Sequence, residues 1–306
     1  MRGHTRRSVL AGLAGGGVLG TAGCLGTSDH VSVLAAGSLA AVLEDRVGGA
    51  FENQTGTAYR GSYYGSNAIM RMIEDRQAHP DVAVSADAGL LRDRLYGDHA
   101  DWDVAFASNA IGLAYSPETR VGDRLERGEP WYEAVMAAED GAFAISDPNL
   151  DPLGYRAILA FRLAEAEHDL DGFADALADA AYREPEEPRL LAGVESGNRA
   201  AAVAYRNMAV ERDLPFYEFP DAYNFSNPAY ASQYAAVSYT TDEGYTVVGT
   251  PIVYAATVVE GADDAGAGRA FVRFLAGAQS GLERAGLRVD GFPQAHGDAP
   301  DGVTPE

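Results

Sequence analysis

Asp151 is the residue of this chain with the most chemistry open to it. It stands in the stretch SDPNLDPLGYRA (residues 146–157), after the apolar run AFAI (142–145) and before a periodic segment over 155–167. The run predicts a buried strand and the periodic segment a helix. Asp151 falls where an N-cap belongs, and Pro152 at the first helical position, where a missing N–H costs nothing. A strand that ends in a capped helix start leaves several backbone N–H groups aimed at one spot, and that spot attracts anions. Asp151 is then either the cap alone or a carboxylate presented to whatever binds there.

Two more turns repeat this arrangement. The run HVSVLAA (30–36) predicts a strand, and Gly37-Ser38 turns it into a helix from Leu39 to about Ala50. A second strand-like run, 57–62, leads through Gly65-Ser66-Asn67 into a helix over 68–76. Each serine is an ordinary N-cap or a hydroxyl donor at a helix start. The run 201–205 (AAVAY) predicts a buried strand ending in Tyr205. A tyrosine there is either a half-buried core residue or a hydroxyl at the strand's carboxyl end, where open α/β sheets bind ligands.

The elements that must carry these residues alternate. Residues 80–87 read as a strand followed by a capped helix over 88–96, and 102–115 hold two apolar runs, the second a crossing between two lobes. A short helix follows at 131–138, and 164–188 read as a solvated helix and then a loop at 184–188. Glu195-Ser196-Gly197 reads as a helix end or turn. Residues 244–259 read as one or two strands returning to the first lobe, 266–276 as a helix, and the tail from Gly297 as loosely held. This alternation predicts α/β units with a parallel sheet.

The N-terminus carries an address. Thr5-Arg6-Arg7 precede Ser8, Val9 and Leu10 and a glycine-rich run to Gly23, a twin-arginine pattern too short to span a bilayer as a stable helix. It ends in Thr21-Ala22-Gly23-Cys24, which is lipobox-like. Cys24 is the one cysteine of the chain, so an internal disulfide and a thiolate metal cluster are excluded. Its position fits lipidation, with 1–23 removed and 24–29 a tether, and the protein exported and held outside the membrane.

The 306-residue chain has a net charge of −22 and no lysine. Such a surface suits concentrated salt, where the screening length falls to about 3 Å at 1 M. With no basic patch, nucleic-acid binding is excluded. The six histidines are scattered without metal-ligand spacing, and there is no G-x-S-x-G elbow. Both points count against a secreted enzyme.

The order of AAGSLAAVLEDRVGGAFENQTG, YYGSNAIMRMIEDRQAHPDVAVSADAGLL, WDVAFASNAIGLAY, SDPNLDPLGYRA, VESGNRAAAVAYRNMA and GFPQA resembles the archaeal molybdate/tungstate-binding lipoproteins of ABC importers, over about residues 31–295. The resemblance implies a two-lobed α/β fold of the periplasmic-binding-protein type II. Each lobe is then a mixed sheet flanked by helices, with residues 30–112 and 250–306 in lobe I, 113–249 in lobe II, and the ligand in the inter-lobe cleft. It implies a tetrahedral oxyanion bound by Ser38, Ser66, Tyr205 and the amides around Asp151 to Gly154. It also implies two carboxylates that bind the metal directly and make it six-coordinate. Asp151 matches the first.

The second carboxylate is sought in the segment matched by 201–209, which holds no Asp or Glu. Either the site is four- or five-coordinate, which is the expectation, or Glu195 or Asp221 substitutes. No cofactor is implied. The implied partners are the oxyanion, a permease with its ATPase, and the membrane through the lipid anchor, with the protein a monomer. A cleft-facing carboxylate favours molybdate or tungstate. Sulfate, thiosulfate or phosphate delivery is the alternative, ahead of a secreted enzyme or a purely structural surface lipoprotein.

Overall fold

The apolar run HVSVLAA forms strand β1, His30–Ala36, in a computed structural model that describes residues 30–305. The twin-arginine leader and Cys24 lie outside the described residues. β2 (Ala58–Tyr64), β3 (Val82–Ser85) and β4 (Trp102–Ser108) follow. The chain then crosses through Asn109-Ala110 into a second sheet. That sheet holds β5 (Ile111–Tyr115), β6 (Phe143–Ser146), β7 (Tyr182–Glu184), β8 (Ala201–Tyr205) and β9 (Phe216–Glu218). β10 (Ser238–Thr240) and β11 (Thr246–Val248) make a separate antiparallel ribbon. β12 (Val253–Val258) and β13 (Gln294–Gly297) rejoin the first sheet.

The strand order is β13-β4-β12-β3-β1-β2 in one sheet and β7-β6-β8-β5-β9 in the other. β1 runs parallel to β2 and β3, whereas β12 is antiparallel to β3 and β4. The sheets are therefore mixed, not wholly parallel as the alternation alone predicts. The cause is connectivity: β12 enters its sheet from the second lobe, against the direction of the βα units.

Both sheets bury their faces under helices. Phe51 and Phe271 pack edge-on at 5.3 Å beside the first, and Trp131 meets Phe219 at 4.5 Å and Phe173 at 5.6 Å beside the second. Among the described residues no helix is long and apolar enough to cross a membrane.

Three local readings change. The helix after Ser38 begins as a 3-10 turn at Gly37–Leu39, widens to a π-type segment at Leu43–Gly48 and runs on to Thr55, where Gly56 ends it at φ +75°. Of the strands in 244–259, only β12 returns to the first sheet. The tail is held: Val303 is buried and the Asp298 amide donates to the Asp101 carbonyl at 2.9 Å.

The parallel strands matter most for function. Gly37-Ser38, Gly65-Ser66 and Ala86-Asp87 follow the carboxyl ends of β1, β2 and β3, and Tyr205 closes β8 beside β6, whose exit leads to Asp151. The two lobes thus turn the carboxyl ends of their strands towards one another.

Candidate functional site at the lobe junction

Ser38, Ser66, Asp151 and Tyr205 are all buried and meet at one place. Their contacts form a closed circuit. The Tyr254 hydroxyl donates to Ser38 Oγ at 3.2 Å, and the rings of Tyr254 and Tyr205 stand edge-on at 5.9 Å. Arg156 donates to the Tyr205 hydroxyl at 2.6 Å and to the Ala86 carbonyl at 3.0 Å. The Ala86 amide donates to Ser66 Oγ at 3.0 Å. A Cβ on Gly65, the residue before Ser66, would stand 2.5 Å from the Asp151 Cβ and 2.3 Å from the Leu150 carbonyl oxygen. From Asp151 the circuit returns to Ser38 through a residue the sequence reading passed over.

That residue is Glu187. It opens a 3-10 turn, Glu187–Arg189, is 1% exposed, and lies so close to the first lobe that a Cβ on Gly37 would be 2.8 Å from its Oε2. Neither carboxylate oxygen makes a hydrogen bond of good geometry. Burial raises the Glu187 pKa well above the ordinary range and the Asp151 charge adds to the rise, while the Ser38 and Gly37 amides oppose it. Burial likewise pushes the Asp151 carboxyl up to about 6, against hydrogen bonds from Ser146, Gly154 and Leu153.

Two buried carboxyls therefore stand at this junction, Asp151 and one the sequence reading did not name. Glu195 is exposed and paired with Arg212, and Asp221 is exposed and bonded to Asn224 and Asn227, so neither substitutes. The stretch 164–188, read as solvated helix and loop, holds the end of the helix Pro152–His168, the helix Phe173–Ala180, then β7 and the Glu187 turn.

Asp151 is also the helix cap: its Oδ1 accepts from the Gly154 amide at 3.1 Å, and its Oδ2 accepts from the Ser146 hydroxyl. Both readings of Asp151 thus describe the same side chain, since each carboxylate oxygen keeps a lone pair to spare. Gly154 is corrected. Its amide serves the cap, and a side chain there would meet Asp147 and Pro148 backbone at 2.5 Å. Asn67, beside Ser66, has a buried amide group without a partner among the described residues.

The three hydroxyls share one polarity. Ser66 accepts from a backbone N–H and Tyr205 from a guanidinium, neither of which can accept. Ser38 accepts from Tyr254, whose oxygen takes a hydrogen bond from Asn109 Nδ2 at 3.1 Å and so passes its own proton on. Asn207 fixes the Ser38 carbonyl at 2.6 Å. With one acceptor site of each filled from behind, the Ser66 and Tyr205 protons are free to turn into the lobe junction, while the Ser38 hydroxyl lies against the Glu187 carboxyl and opposes the rise in its pKa. Among the described residues, no hydrogen bond of good geometry takes the Ser66 or Tyr205 proton.

Two lobes joined by two crossings, with inward donors at the strand ends between them, define a solute-binding protein. The chain belongs to the family described as bacterial extracellular solute-binding proteins, whose model matches residues 31–288. It is 48% identical to an uncharacterized solute-binding protein of Halobacterium salinarum over 98% of this chain and 97% of that one. It is 40% identical to a putative ABC transporter molybdenum-binding protein of Haloferax volcanii over 97% and 96%. Its fold is that of the periplasmic molybdate-binding protein of Azotobacter vinelandii (TM-score 0.64, 17% identity, covering 87% of this chain and 100% of that one). The protein is a solute-binding protein, from a family described as extracellular.

Proposed function

We propose that the protein captures molybdate or tungstate between its lobes and delivers it to a membrane permease. Ser38, Ser66 and Tyr205 donate to the oxyanion, and Asp151 and Glu187 bond the metal centre from one side. The observation that carries this reading is the pair of buried carboxyls, Asp151 and Glu187, at the junction where Ser38, Ser66 and Tyr205 gather. A carboxylate held against a dianion is repelled in a partly buried site. It is tolerated there when protonated or when it bonds the central atom, and molybdenum and tungsten accept further oxygen ligands where sulfur does not. The names of the Haloferax and Azotobacter relatives point to the same ligand class.

Neutral donors hold the anion without a full counter-charge, so release remains available. The twin-arginine leader and Cys24 support export and lipid anchoring, as a monomer, beside the permease and its ATPase. Calorimetric titration of the purified protein in high salt with tungstate, molybdate and sulfate tests the reading. Binding of the first two and rejection of the third is expected. Equal binding of sulfate contradicts the role given to the carboxyls.

A further inference from the structure

Arg156 lies in the first turns of the helix Pro152–His168 and is 2% exposed. Its guanidinium reaches both lobes. In its own lobe it donates to the Tyr205 hydroxyl at 2.6 Å. In the other it donates to the Ala86 carbonyl at 3.0 Å and to Asp87 Oδ2 at 2.8 Å. Tyr155, its chain neighbour, donates to the same Asp87 oxygen at 2.7 Å, while Asp87 Oδ1 caps the helix Ala88–Leu95 through the Leu90 amide at 3.1 Å.

A guanidinium carries donors only, so at the Tyr205 oxygen Arg156 is necessarily the donor and the phenol proton must turn elsewhere. Asp87 and Ala86 occupy their places against Arg156 when the lobes are together. We propose that Arg156 is a positioning residue that couples lobe closure to the direction of the Tyr205 proton. Asp87 and Ala86 fix the guanidinium, the guanidinium fills the Tyr205 acceptor, and the phenol then donates to the oxyanion. The same contact sets a positive charge against the Tyr205 hydroxyl. A bidentate, planar donor is needed to serve both lobes at once, and an ammonium cannot replace it.

A buried ion pair can also be structural only, and by itself it is weak support for any role. A double-mutant cycle separates the cases. The inference rests on the oxyanion reading, so the probe is tungstate, titrated calorimetrically into the wild type, Arg156→Lys, Tyr205→Phe and the double variant. Arg156→Lys is expected to weaken binding about tenfold with Tyr205 present and less than about twofold with Phe there, because the path through the hydroxyl is already gone. Equal losses in both backgrounds overturn the inference while leaving the oxyanion reading intact. If Arg156→Lys does not fold, Asp87→Asn tests the arm in the other lobe: weaker tungstate binding is expected, and unchanged affinity overturns the inference. A wild type that binds no tungstate overturns the oxyanion reading and this inference with it.

Discussion

Glu187 and Gly37 come from opposite lobes, and the carboxylate of one lies where a side chain on the other would stand, 2.8 Å from an ideal Cβ. The first lobe brings a bare backbone turn to this point and the second brings an acid. Placed beside Asp151, that acid makes the lobe junction costly to close on nothing, because burial disfavours the charged form of both carboxyls, the Asp151 charge adds to the rise at Glu187, and each must bear that cost or take up a proton. A bound centre that accepts oxygen ligands removes that cost.

The pH dependence of the ligand-free protein follows from the same pair. Burial, and then the charge of Asp151, raise the Glu187 pKa on folding. Within its window the folded protein holds a proton that the unfolded chain has released, so this group's contribution to stability falls as pH rises. Asp151 acts with the same sign between 3.8 and about 6. Glu187→Gln removes the larger shift. Thermal melts without ligand should therefore show the variant gaining on the wild type as pH rises above the ordinary glutamate value of 4.5. A constant difference above that value contradicts the buried, coupled state of Glu187.

Gly65→Ala tests closure alone. Gly65 has φ −61°, which alanine adopts freely, but its Cβ would collide with Leu150 and Asp151 across the junction. The variant should keep the melting behaviour of separate, well-folded lobes. In solution scattering it should stay expanded when tungstate is added, with affinity reduced tenfold or more. A compact complex of normal affinity would show that the lobes do not meet at this point.

Asp151 has two jobs that two substitutions separate. Asp151→Asn keeps a side-chain oxygen for the Gly154 amide, whereas Asp151→Ala loses the cap at a cost of about 1 kcal/mol. Both should lose tungstate affinity to a similar degree. Only the alanine variant should melt lower without ligand. Binding retained by either variant would leave Asp151 as a cap and nothing more.

Tyr254→Phe interrupts the chain Asn109 to Tyr254 to Ser38 without touching the ligand. The Ser38 proton then loses its fixed direction, and tungstate affinity should fall several-fold, the worth of one oriented hydrogen bond. Ser38→Ala should cost more. The same loss in Tyr254→Phe and Ser38→Ala would place Tyr254 itself in contact with the anion.

Ser38, Ser66, Asp151 and Tyr205 were legible because each sits at a punctuation mark of the chain: a Gly-Ser helix start, an N-cap before Pro152, the end of an apolar run. Such signals are local. Glu187 carries none, since it is one of three acids in Glu184-Pro-Glu-Glu-Pro, and composition alone makes that stretch a solvated loop. Only the pairing of β7 with β6, and the turn that follows it onto Gly37, separates Glu187 from exposed Glu186. Gly154 fails for the converse reason. Its amide is at the expected place, but the cap in front of it uses the hydrogen bond. Arg156 is hidden because the helix Pro152–His168 is buried on most of its faces, so periodicity gives no exposed side on which to place a charge.

The central claim is that Asp151 and Glu187 bond the metal of the captured oxyanion. Tungsten L3-edge X-ray absorption of the tungstate complex measures this directly. The expected spectrum shows more oxygen neighbours than free tetrahedral tungstate has, with the number dropping in Glu187→Gln and Asp151→Asn. A tungsten centre that stays tetrahedral in the wild-type complex would contradict it, and would leave the two carboxyls as protonated bystanders beside an ordinary hydrogen-bonded anion.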